Sequence, residues 1–454
     1  MKAYNNQNEK QNYDQKIGNY NHPKKENLPS KNNNLNNNFN QQDLINGYIC
    51  RKNIDNNYST PGNDEYEIKK YYNEMRNEKI KNQNRINQSF LNQSLRTSIN
   101  NELDLNPSFS LSQYSKVPNV ILESDGKSTY MKSVLQCLAN IKPIANYYLK
   151  EINTFKYHMK ELPISYYFSR IIFHFFPYPE NTLQKSFSLS TFQKIINYYD
   201  RRFDSISENN PKVFMDYFIN LLHEEDKKYK NNFNLIENNE QNNNKKYKEY
   251  IQFLSKYEKS CIFENFCWLF QDKKKCLICN TEFIEYNKKF IYKLKFEEML
   301  QNSQLNCNQK ISIMDCIKYQ TKKQNKKDNC KNCQKHNCFE IESLIHISPQ
   351  YLILYLELND TIINNFGKIE INKNLYLYDI VKDESSFNNY SLNGMIVHDL
   401  DSNKYFAYCC SPVLKNSENW YNYEEKSINK IKQEDLFRIY SYNTFPTILI
   451  YKAI

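Results

Sequence analysis

Glycine is scarce in this sequence, with 6 in 454 residues, far below the usual share of about 7%. Tryptophan is also rare, with only 2 residues. So little glycine excludes collagen-like sequences, glycine-rich linkers and proteins rich in glycine-based phosphate loops. The length fits one large domain or two ordinary ones, so the chain is long enough to bury a hydrophobic core.

Long apolar runs are also missing, since no stretch approaches the roughly 18 to 20 residues that a membrane span requires. The first residues, MKAYNNQNEK, contain no apolar segment typical of a secretion signal. We therefore expect an intracellular protein, cytoplasmic or nuclear, that has no membrane partner. The 13 cysteines are an odd number, which agrees with reduced thiols in such a compartment.

The charge is not concentrated in one region, although 61 Lys+Arg against 51 Asp+Glu leave a formal charge of +10. The lysines are scattered or lie in Asn-rich stretches such as residues 242–246. They do not cluster with aromatic residues, as they do on nucleic-acid-binding surfaces. We interpret the charge as a solvated surface and expect no nucleic-acid partner.

Low-complexity sequence divides the chain. Residues 1–115 are rich in Asn, Gln, Lys and Ser, and residues 32–40 read NNNLNNNFN. Such a segment cannot bury enough apolar surface to offset its conformational entropy. We predict a disordered amino-terminal arm over residues 1–115, a folded domain over 116–454, and a surface insertion at the Asn-rich residues 226–249.

The periodicity of apolar residues predicts the fold class of the domain. Helical spacing predicts helices over residues 130–149, 165–175, 191–199 and 213–223. Short β-branched and aromatic runs predict strands over residues 289–294, 343–347, 351–358, 394–398, 405–410 and 447–452. Because the helices come first and the strands second, we expect an α+β protein with an antiparallel sheet.

Two C-x-x-C pairs stand in the second half of the chain: Cys276 with Cys279, and Cys330 with Cys333. Each pair can present two thiolates to one ion from a tight turn. Two pairs complete a tetrahedral sulfur set with no open position for chemistry, so we predict a structural Zn²⁺ site. A redox pair and unligated reduced cysteines are the alternatives, and His336 and Cys338 remain open as substitute ligands.

Several segments together resemble the ubiquitin-specific proteases. The two cysteine pairs, SIMDCI at residues 312–317 and IESLIHISPQYLILYL at 341–356 are similar to the fingers and palm of that family. GKSTYMKSVLQ at 126–136 resembles its nucleophile box. YSLNGMIVH at 390–398, KYFAY at 404–408, WYNYEE at 420–425 and TILIY at 447–451 follow the order of its histidine box.

The resemblance covers residues 116–454 and implies a papain-like fold with thumb helices, a zinc-bearing fingers subdomain at about 258–345 and an antiparallel palm sheet. Members of this family hydrolyse the bond after the carboxyl terminus of ubiquitin. The nucleophilic cysteine of the family aligns with Thr129, and its base histidine aligns with Lys404. The residue that orients this histidine aligns with Glu424, and the oxyanion-hole asparagine with Lys127.

These four positions lack the chemistry of a cysteine protease, which requires a thiolate beside an imidazole. Thr129 offers an alcohol, and a lysine amine is ordinarily protonated near neutral pH and cannot accept a proton. Glu424 beside Lys404 would stabilise the charged amine. We therefore predict that catalysis is absent, with a hydroxyl–lysine dyad of Thr129 and Lys404 as the alternative.

Two neighbouring residues are interpreted as structural. Cys137 lies more than two helical turns beyond Thr129, so we expect it in the core and not at the reacting position. His398 precedes the aligned base and is expected to be a strand residue.

Ubiquitin binding is expected to be weakened. The family helix that meets the basic tail of ubiquitin corresponds to PKVFMDYF at residues 211–218, where Asp216 is the one acidic residue. Lys127 and Lys404 would place two cations where the tail carboxylate of free ubiquitin ends, which favours product-like binding over hydrolysis.

The combined prediction is an inactive module of this family that serves as a ubiquitin-binding, protein-binding or scaffold component. Protein partners are expected to bind the amino-terminal arm and the insertions. Two alternatives remain: an active deubiquitinase, and a structural subunit of a large assembly that makes no contact with ubiquitin.

Overall fold

The computed structural model describes residues 120–123, 128–176, 186–204, 210–231, 250–252, 254, 257–302, 310–357, 359–383, 386–412, 419–436 and 443–454. The predicted arm at 1–115 and Lys127 lie outside these residues. Residues 232–249 of the predicted insertion lie outside them too.

Helices dominate the first half of the described chain: α1 Thr129–Ala139, α2 Lys142–Lys150, α3 Ile152–Tyr157, α4 Pro163–Phe175, α5 Ser190–Tyr199, α6 Pro211–Asn231 and α7 Cys261–Phe266. Later helices are α8 Phe296–Asn302, α9 Ile313–Thr321, α10 Asp360–Asn364 and α11 Gln433–Leu436. Every residue of α1 is buried, so this helix lies inside the domain and its neighbours surround it.

Two helix predictions differ from the structure. The single helix predicted over 130–149 is wrong, because α1 ends at Ala139 and α2 begins at Lys142. Pro143 stands in the first turn of α2, where its missing N–H is tolerated, whereas inside a continuous helix it would remove a hydrogen bond and clash. The helix predicted over 213–223 is longer, since α6 continues to Asn231 and contains the buried Asp226, which had been assigned to the insertion.

Strands dominate the second half. In chain order they are β1 Ile121–Glu123, β2 Ser186–Ser188, β3 Trp268–Cys276, β4 Glu282–Lys289, β5 Tyr292–Leu294, β6 Ile311–Ser312, β7 Gln324–Asn329, β8 His336–Ile347, β9 Tyr351–Leu356, β10 Ile369–Glu370, β11 Asn374–Tyr376, β12 Asn389–Asp399, β13 Lys404–Cys410, β14 Trp420–Tyr423, β15 Ile428–Ile431 and β16 Thr444–Ala453.

Two of the sheets carry the features predicted from the sequence. The fingers sheet has the order β4-β3-β8-β7, and all of its pairs are antiparallel. The palm sheet has the order β15-β14-β13-β12-β16-β9-β5, with β11 paired to β12. The predicted antiparallel arrangement holds except at β5 and β9, which are parallel. The segment between β5 and α9 interrupts the fingers in sequence but packs with the palm.

Side chains of the palm sheet alternate between two hydrophobic cores. On β12, Ile396 joins the core of the thumb helices, whereas Met395 and Val397 join a second core that includes residues of α8 and α9. All six residues of β9 are buried for the same reason. The palm is therefore covered on both faces, and this explains why its strands are continuous apolar runs instead of alternating ones.

The SIMDCI segment at residues 312–317 forms the cap and first turns of α9. Ser312 is its N-cap, and the Ser312 hydroxyl accepts a hydrogen bond from the backbone N–H of Asp315. The Asp315 carboxylate in turn accepts from the backbone N–H of Ser312, which completes a capping box. Within the part of the chain that the structure describes, no helix is both long and apolar enough to cross a bilayer.

Candidate functional site

The amino-terminal end of α1 meets the beginning of β13, and this contact brings together two positions that the sequence separates widely. Thr129 is the first residue of α1 and is only 6% exposed. Its Oγ1 accepts a hydrogen bond from the backbone N–H of Tyr405 at 3.1 Å. The residue before Tyr405 is Lys404, so the aligned nucleophile and base positions are neighbours in the fold.

The predicted ion pair of Lys404 forms, but with a different partner. Its Nζ donates to Oε2 of Glu425 at 2.5 Å, and this hydrogen bond lowers the pKa of the Glu425 carboxyl. Glu424 lies in the turn between β14 and β15, where its carboxylate accepts hydrogen bonds from Asn422 and Ser427. The expected contact between Glu424 and Lys404 is therefore replaced by one with the next residue.

Lys132 is a residue of this site that the sequence interpretation missed. It lies one turn after Thr129 on α1, is 4% exposed, and donates through Nζ to the backbone oxygen of Glu425 at 3.3 Å. Burial lowers the pKa of the Lys132 amine, and the nearby Lys404 lowers it further, while Glu425 opposes the shift. The sequence contained one signal for this role: Lys132 comes three residues after the aligned nucleophile position, and residues with that spacing share a helix face.

Cys137 and His398 are the two residues that the sequence indicated to be structural. Cys137 is buried, and its Sγ lies 3.5 Å from Sγ of Cys409 and 3.8 Å from the carbonyl oxygen of Met395. His398 lies on β12, where its Nε2 contacts Oδ1 of Asn403 at 2.9 Å. The His398 ring stacks on Tyr405, and burial lowers the pKa of this imidazole.

Four cysteines meet where β3 and β8 lie side by side. Their Sγ atoms all lie within 4.8 Å of one another: Cys276, Cys279, Cys330 and Cys333. Both pairs are held in the same kind of turn, in which Asn280 and Gln334 adopt φ values of 55° and 59°. The backbone N–H groups of Asn280 and Gln334 donate to the carbonyl oxygens of Cys276 and Cys330, each at 2.9 Å. The turns therefore aim all four sulfurs at one point.

The distances within this cluster fit a tetrahedral metal site. Zn–S bonds of about 2.3 Å at tetrahedral angles place sulfurs about 3.8 Å apart. The Sγ atoms of Cys276 and Cys333 lie 3.9 Å apart, and those of Cys279 and Cys330 lie 3.6 Å apart. Contacts with Thr281 lower the pKa of the Cys279 thiol to about 5, which favours the thiolate form that binds metal. The Lys335 backbone lowers the pKa of the Cys333 thiol, but desolvation and the other three sulfurs outweigh this effect, so that this pKa is raised instead.

The substitute ligands left open by the sequence are not part of this cluster as far as the structure describes them. His336 is exposed, and its Nδ1 contacts Oδ1 of Asn329 at 2.8 Å. The side chain of Cys338 lies outside the described residues. Among the side chains that the structure describes, the sulfur set consists of the two predicted pairs.

A second polar group brings a histidine and carboxylates together near the carboxyl-terminal half of α6. The oxygen and nitrogen atoms of His223, Glu224 and Glu258 lie within 4.8 Å of one another. Glu258 already accepts hydrogen bonds from Lys288 and His223, while the other ring nitrogen of His223 contacts Ser260 at 2.6 Å. Because Lys288 and His223 already occupy the Glu258 carboxylate, we interpret His223 and Glu258 as part of a polar network in which Glu224 is the exposed member.

The structure combines helices packed on a largely antiparallel sheet with a separate fingers sheet that carries four clustered cysteines. The amino terminus of one of these helices meets the palm. These features define a papain-like α+β protein of the thumb, fingers and palm type. The family model of the ubiquitin carboxyl-terminal hydrolases matches residues 121–451. The chain belongs to this family, and the predicted ubiquitin-specific-protease fold is confirmed. No curated protein matches the chain closely enough to count as a relative.

Solved structures agree on the fold. A chain of the yeast SAGA DUB module with a mutant Sgf73 has a TM-score of 0.50 and 15% identity, over 76% of this chain and 70% of that one. The SAGA DUB module Ubp8/Sgf11/Sus1/Sgf73 bound to monoubiquitin gives 0.51 and 16%, over 77% and 72%. The same module bound to ubiquitin aldehyde gives 0.51 and 15%, over 76% and 71%.

Proposed function

We propose that this chain is an inactive ubiquitin-specific-protease-like module that binds ubiquitin or another protein without hydrolysing the bond after the ubiquitin carboxyl terminus. The observation that carries the proposal is the contact between α1 and β13. The Thr129 hydroxyl accepts the N–H of Tyr405, and Lys404 is engaged with Glu425. An alcohol needs an adjacent base to act as a nucleophile, and an ion-paired ammonium group cannot accept its proton.

The test uses the full chain with three reagents: a ubiquitin fluorogenic conjugate, a ubiquitin probe with a thiol-reactive end, and labelled ubiquitin. We expect no hydrolysis above buffer and no covalent labelling, but a measurable binding isotherm. Hydrolysis that disappears in Thr129→Ala, or labelling that disappears in Cys137→Ala, would show an active enzyme and defeat the proposal.

An active deubiquitinase is the second candidate, and Lys132 is the observation that favours it. Burial lowers the pKa of this amine, so a larger share of it is neutral and could accept a proton from Thr129 on the same helix face. This candidate predicts that Lys132→Met and Thr129→Ala abolish hydrolysis equally, with activity rising at alkaline pH. Absence of hydrolysis across this pH range excludes it.

A structural subunit of a larger assembly is the third candidate. The structurally similar chains come from modules that contain several proteins, which supports protein partners for this chain too. Labelled ubiquitin separates this candidate from the first, because a subunit without ubiquitin contact gives no binding even at high micromolar concentration. We propose 116–454 as the folded domain, with partners bound by residues 1–115 and the insertion, inside the cell.

We also propose that the four-cysteine cluster holds a structural Zn²⁺ and stabilises the fingers at about 258–345. The sulfur separations fit zinc, and a set of four thiolates leaves no coordination position for substrate. The bound ion would hold β3 and β8 together at the tip of the sheet, where Cys276 pairs with Phe339 in the ladder.

Elemental analysis and thermal unfolding test the zinc proposal. We expect one zinc per chain, and we expect the double variant Cys276→Ser/Cys330→Ser to lose the metal and melt at a lower temperature, because metal binding is coupled to folding. Cys316→Ala is the control, since Cys316 is a buried cysteine in the core of the palm, and this variant should retain the metal. Absence of metal together with unchanged melting of the double variant would contradict the assignment.

A further inference from the structure

Exposed aliphatic side chains concentrate at one end of the fingers sheet. Among the described residues, four large aliphatic side chains are exposed by 46% or more: Leu277, Ile278, Ile284 and Ile454. The first three belong to the hairpin of β3 and β4. Leu277 and Ile278, which are 48% and 51% exposed, are adjacent in the turn that joins these strands. Single exposed apolar residues are common, but contiguous exposed apolar surface marks an interaction site.

The fold of the hairpin does not require these aliphatic residues. The β7–β8 hairpin has the same kind of turn, yet it carries Lys331 and Asn332 where the first hairpin carries Leu277 and Ile278. Both turns are closed by the same backbone hydrogen bond at 2.9 Å. Leu277 and Ile278 are also absent from the small core that the cysteines form with Phe339. Neither the turn nor this core accounts for aliphatic side chains at the two positions.

The two turns lie side by side at the same end of the sheet. β3 ends at the first turn, β8 begins after the second, and these two strands are paired. The side chain of Asn332 in the second turn donates to the Thr281 hydroxyl in the first at 2.8 Å. We call residues 276–282 and 330–335 together the fingertip. Turns that end a sheet project from it, so their side chains are placed to enter a partner.

Lysines accompany the aliphatic pair. Residues 322–335 contain six lysines and one acidic residue, which makes this stretch an exception to the scattered lysines of the chain. Three of these lysines are exposed and make no ion pair among the described residues: Lys327, Lys331 and Lys335. On the first hairpin, Glu282 faces Lys275 across the ladder. The fingertip therefore combines an aliphatic pair with an excess of cations.

The surface of an anionic bilayer matches both properties. Its acyl-chain boundary accepts aliphatic side chains, and its negative headgroups attract lysines. A nucleic acid would engage the lysines but offers no apolar layer to Leu277 and Ile278, and the fingertip has no aromatic ring on which bases stack. Such a contact needs no spanning segment. The expectation of no membrane partner rested on the lack of such a segment and does not bear on a surface contact.

From these observations we infer that the fingertip binds an anionic membrane surface. Leu277 and Ile278 enter the boundary between headgroups and acyl chains, while Lys327, Lys331 and Lys335 lie against the headgroups. The inference goes beyond the proposed function, because no fingertip residue belongs to the Thr129 site. It uses the geometry of the two turns and no chemistry of a bound metal.

Cosedimentation of the full chain with lipid vesicles tests this inference. One set of vesicles is pure phosphatidylcholine, and the other contains about 30% phosphatidylserine, which gives an anionic surface. We expect the chain to bind the anionic vesicles at least tenfold more tightly than the neutral ones. Added salt should weaken this binding, because it screens the lysines.

Two fingertip variants separate the apolar from the electrostatic contribution. Leu277→Ser/Ile278→Ser should weaken binding to the anionic vesicles at least tenfold, since two side chains lose their transfer out of water. Lys331→Gln/Lys335→Gln should weaken it about twentyfold, because each lysine near an anionic surface contributes about fivefold in affinity. Thermal unfolding of both variants should match the parent, since all four side chains are exposed.

Tyr376→Ser/Tyr378→Ser is the matched control. These tyrosines are 55% and 58% exposed and lie at the end of β11 in the palm. The control therefore removes two equally exposed apolar side chains from another part of the domain. We expect its binding to anionic vesicles to equal that of the parent.

Equal binding to neutral and anionic vesicles, an equal effect of the control, or unchanged binding of both fingertip variants would overturn the inference. A chain that ignores vesicles but binds a single-stranded RNA oligonucleotide through Lys331 and Lys335 would overturn it in favour of nucleic acid. Ubiquitin binding that is lost in Leu277→Ser/Ile278→Ser, without vesicle binding by the parent, would overturn it in favour of a protein partner.

Discussion

Replacing Lys132 by methionine tests whether the amine at the candidate site is held at the expense of stability. The Lys132 side chain is almost fully buried, and an ammonium group has three hydrogens to donate. Among the described residues its one acceptor is the backbone oxygen of Glu425 at 3.3 Å. The carboxylate of Glu425 is engaged with Lys404 at 2.5 Å. Lys132 has therefore lost most of its hydration without full replacement.

The size of the effect follows from this geometry. Replacing a whole buried ion pair or triad by apolar residues of similar volume is often neutral or raises the free energy of unfolding by about 1 to 4 kcal/mol, whereas removing one partner of a pair lowers it. Removal of Lys132 leaves the Glu425 carboxylate paired with Lys404, so the first case is the relevant one. We expect Lys132→Met to lie near the lower end, about 1 kcal/mol, because the attraction of Glu425 offsets part of the desolvation. Urea denaturation near neutral pH measures it. The control Lys430→Met, at an exposed position, should stay within about 0.5 kcal/mol of the parent.

The pH dependence supplies an independent check. The folded-state pKa of Lys132 lies below its ordinary value of 10.5, so between these two values the unfolded chain binds more protons than the folded one. The stability contributed by this residue therefore rises with pH through that window. The advantage of Lys132→Met over the parent should shrink as the pH approaches 10.5. A destabilised variant, or an advantage that grows with pH, would refute the reasoning.

Two further predictions concern buried carboxylates of the thumb. Burial alone would raise the pKa of Glu258, but hydrogen bonds from Lys288 and His223 outweigh it and hold this pKa at about 2. The stability that this carboxylate contributes should thus be present above about pH 4.5 and be lost as the pH falls through about 2. Glu258→Gln should lower the free energy of unfolding near neutral pH by about 2 kcal/mol, a value that is discounted for solvent screening. The variant should also lose less stability than the parent as the pH is lowered. Glu225 accepts the first N–H groups of α4 at 3.0 and 2.7 Å, so Glu225→Ala should lower the free energy of unfolding in urea by about 2 kcal/mol. The exposed neighbour variant Glu224→Ala should change it by less than about 0.5 kcal/mol, and equal effects of the two would contradict this role.

The arrangement of the palm explains how the contact between α1 and β13 is held in place. α1 is buried over its whole length, and the palm strands contribute to cores on both faces. These contacts hold the start of α1 against β13 through apolar packing. The nucleophile position and the base position consequently stay in contact, whatever side chains stand there.

Motifs with a short, fixed spacing were predictable from the sequence. Each C-x-x-C pair forms its own turn. The four sulfurs therefore cluster once the fold brings the two turns side by side. The capping box at Ser312 and the amino terminus of α1 at Thr129 are also local features. The change along the chain from helical to strand periodicity predicted the α+β fold class correctly.

Features that depend on contacts between distant segments were not predictable. Glu425 contacts Lys404 in place of Glu424 because the turn after β14 engages Glu424 with Asn422 and Ser427. Nothing in the sequence distinguishes Lys132 from other helical lysines, because its burial results from the packing of α1 inside the domain.

The amino-acid sequence alone therefore determined the family, the α+β fold class and the two cysteine pairs that cluster, since periodicity and fixed spacing act over a few residues. The tertiary structure decided which carboxylate neutralises Lys404 and which amine is buried near Thr129. Both contacts depend on strand register and helix packing. A shift of the register or of the helix by one residue would replace each contacting side chain by its neighbour in the sequence.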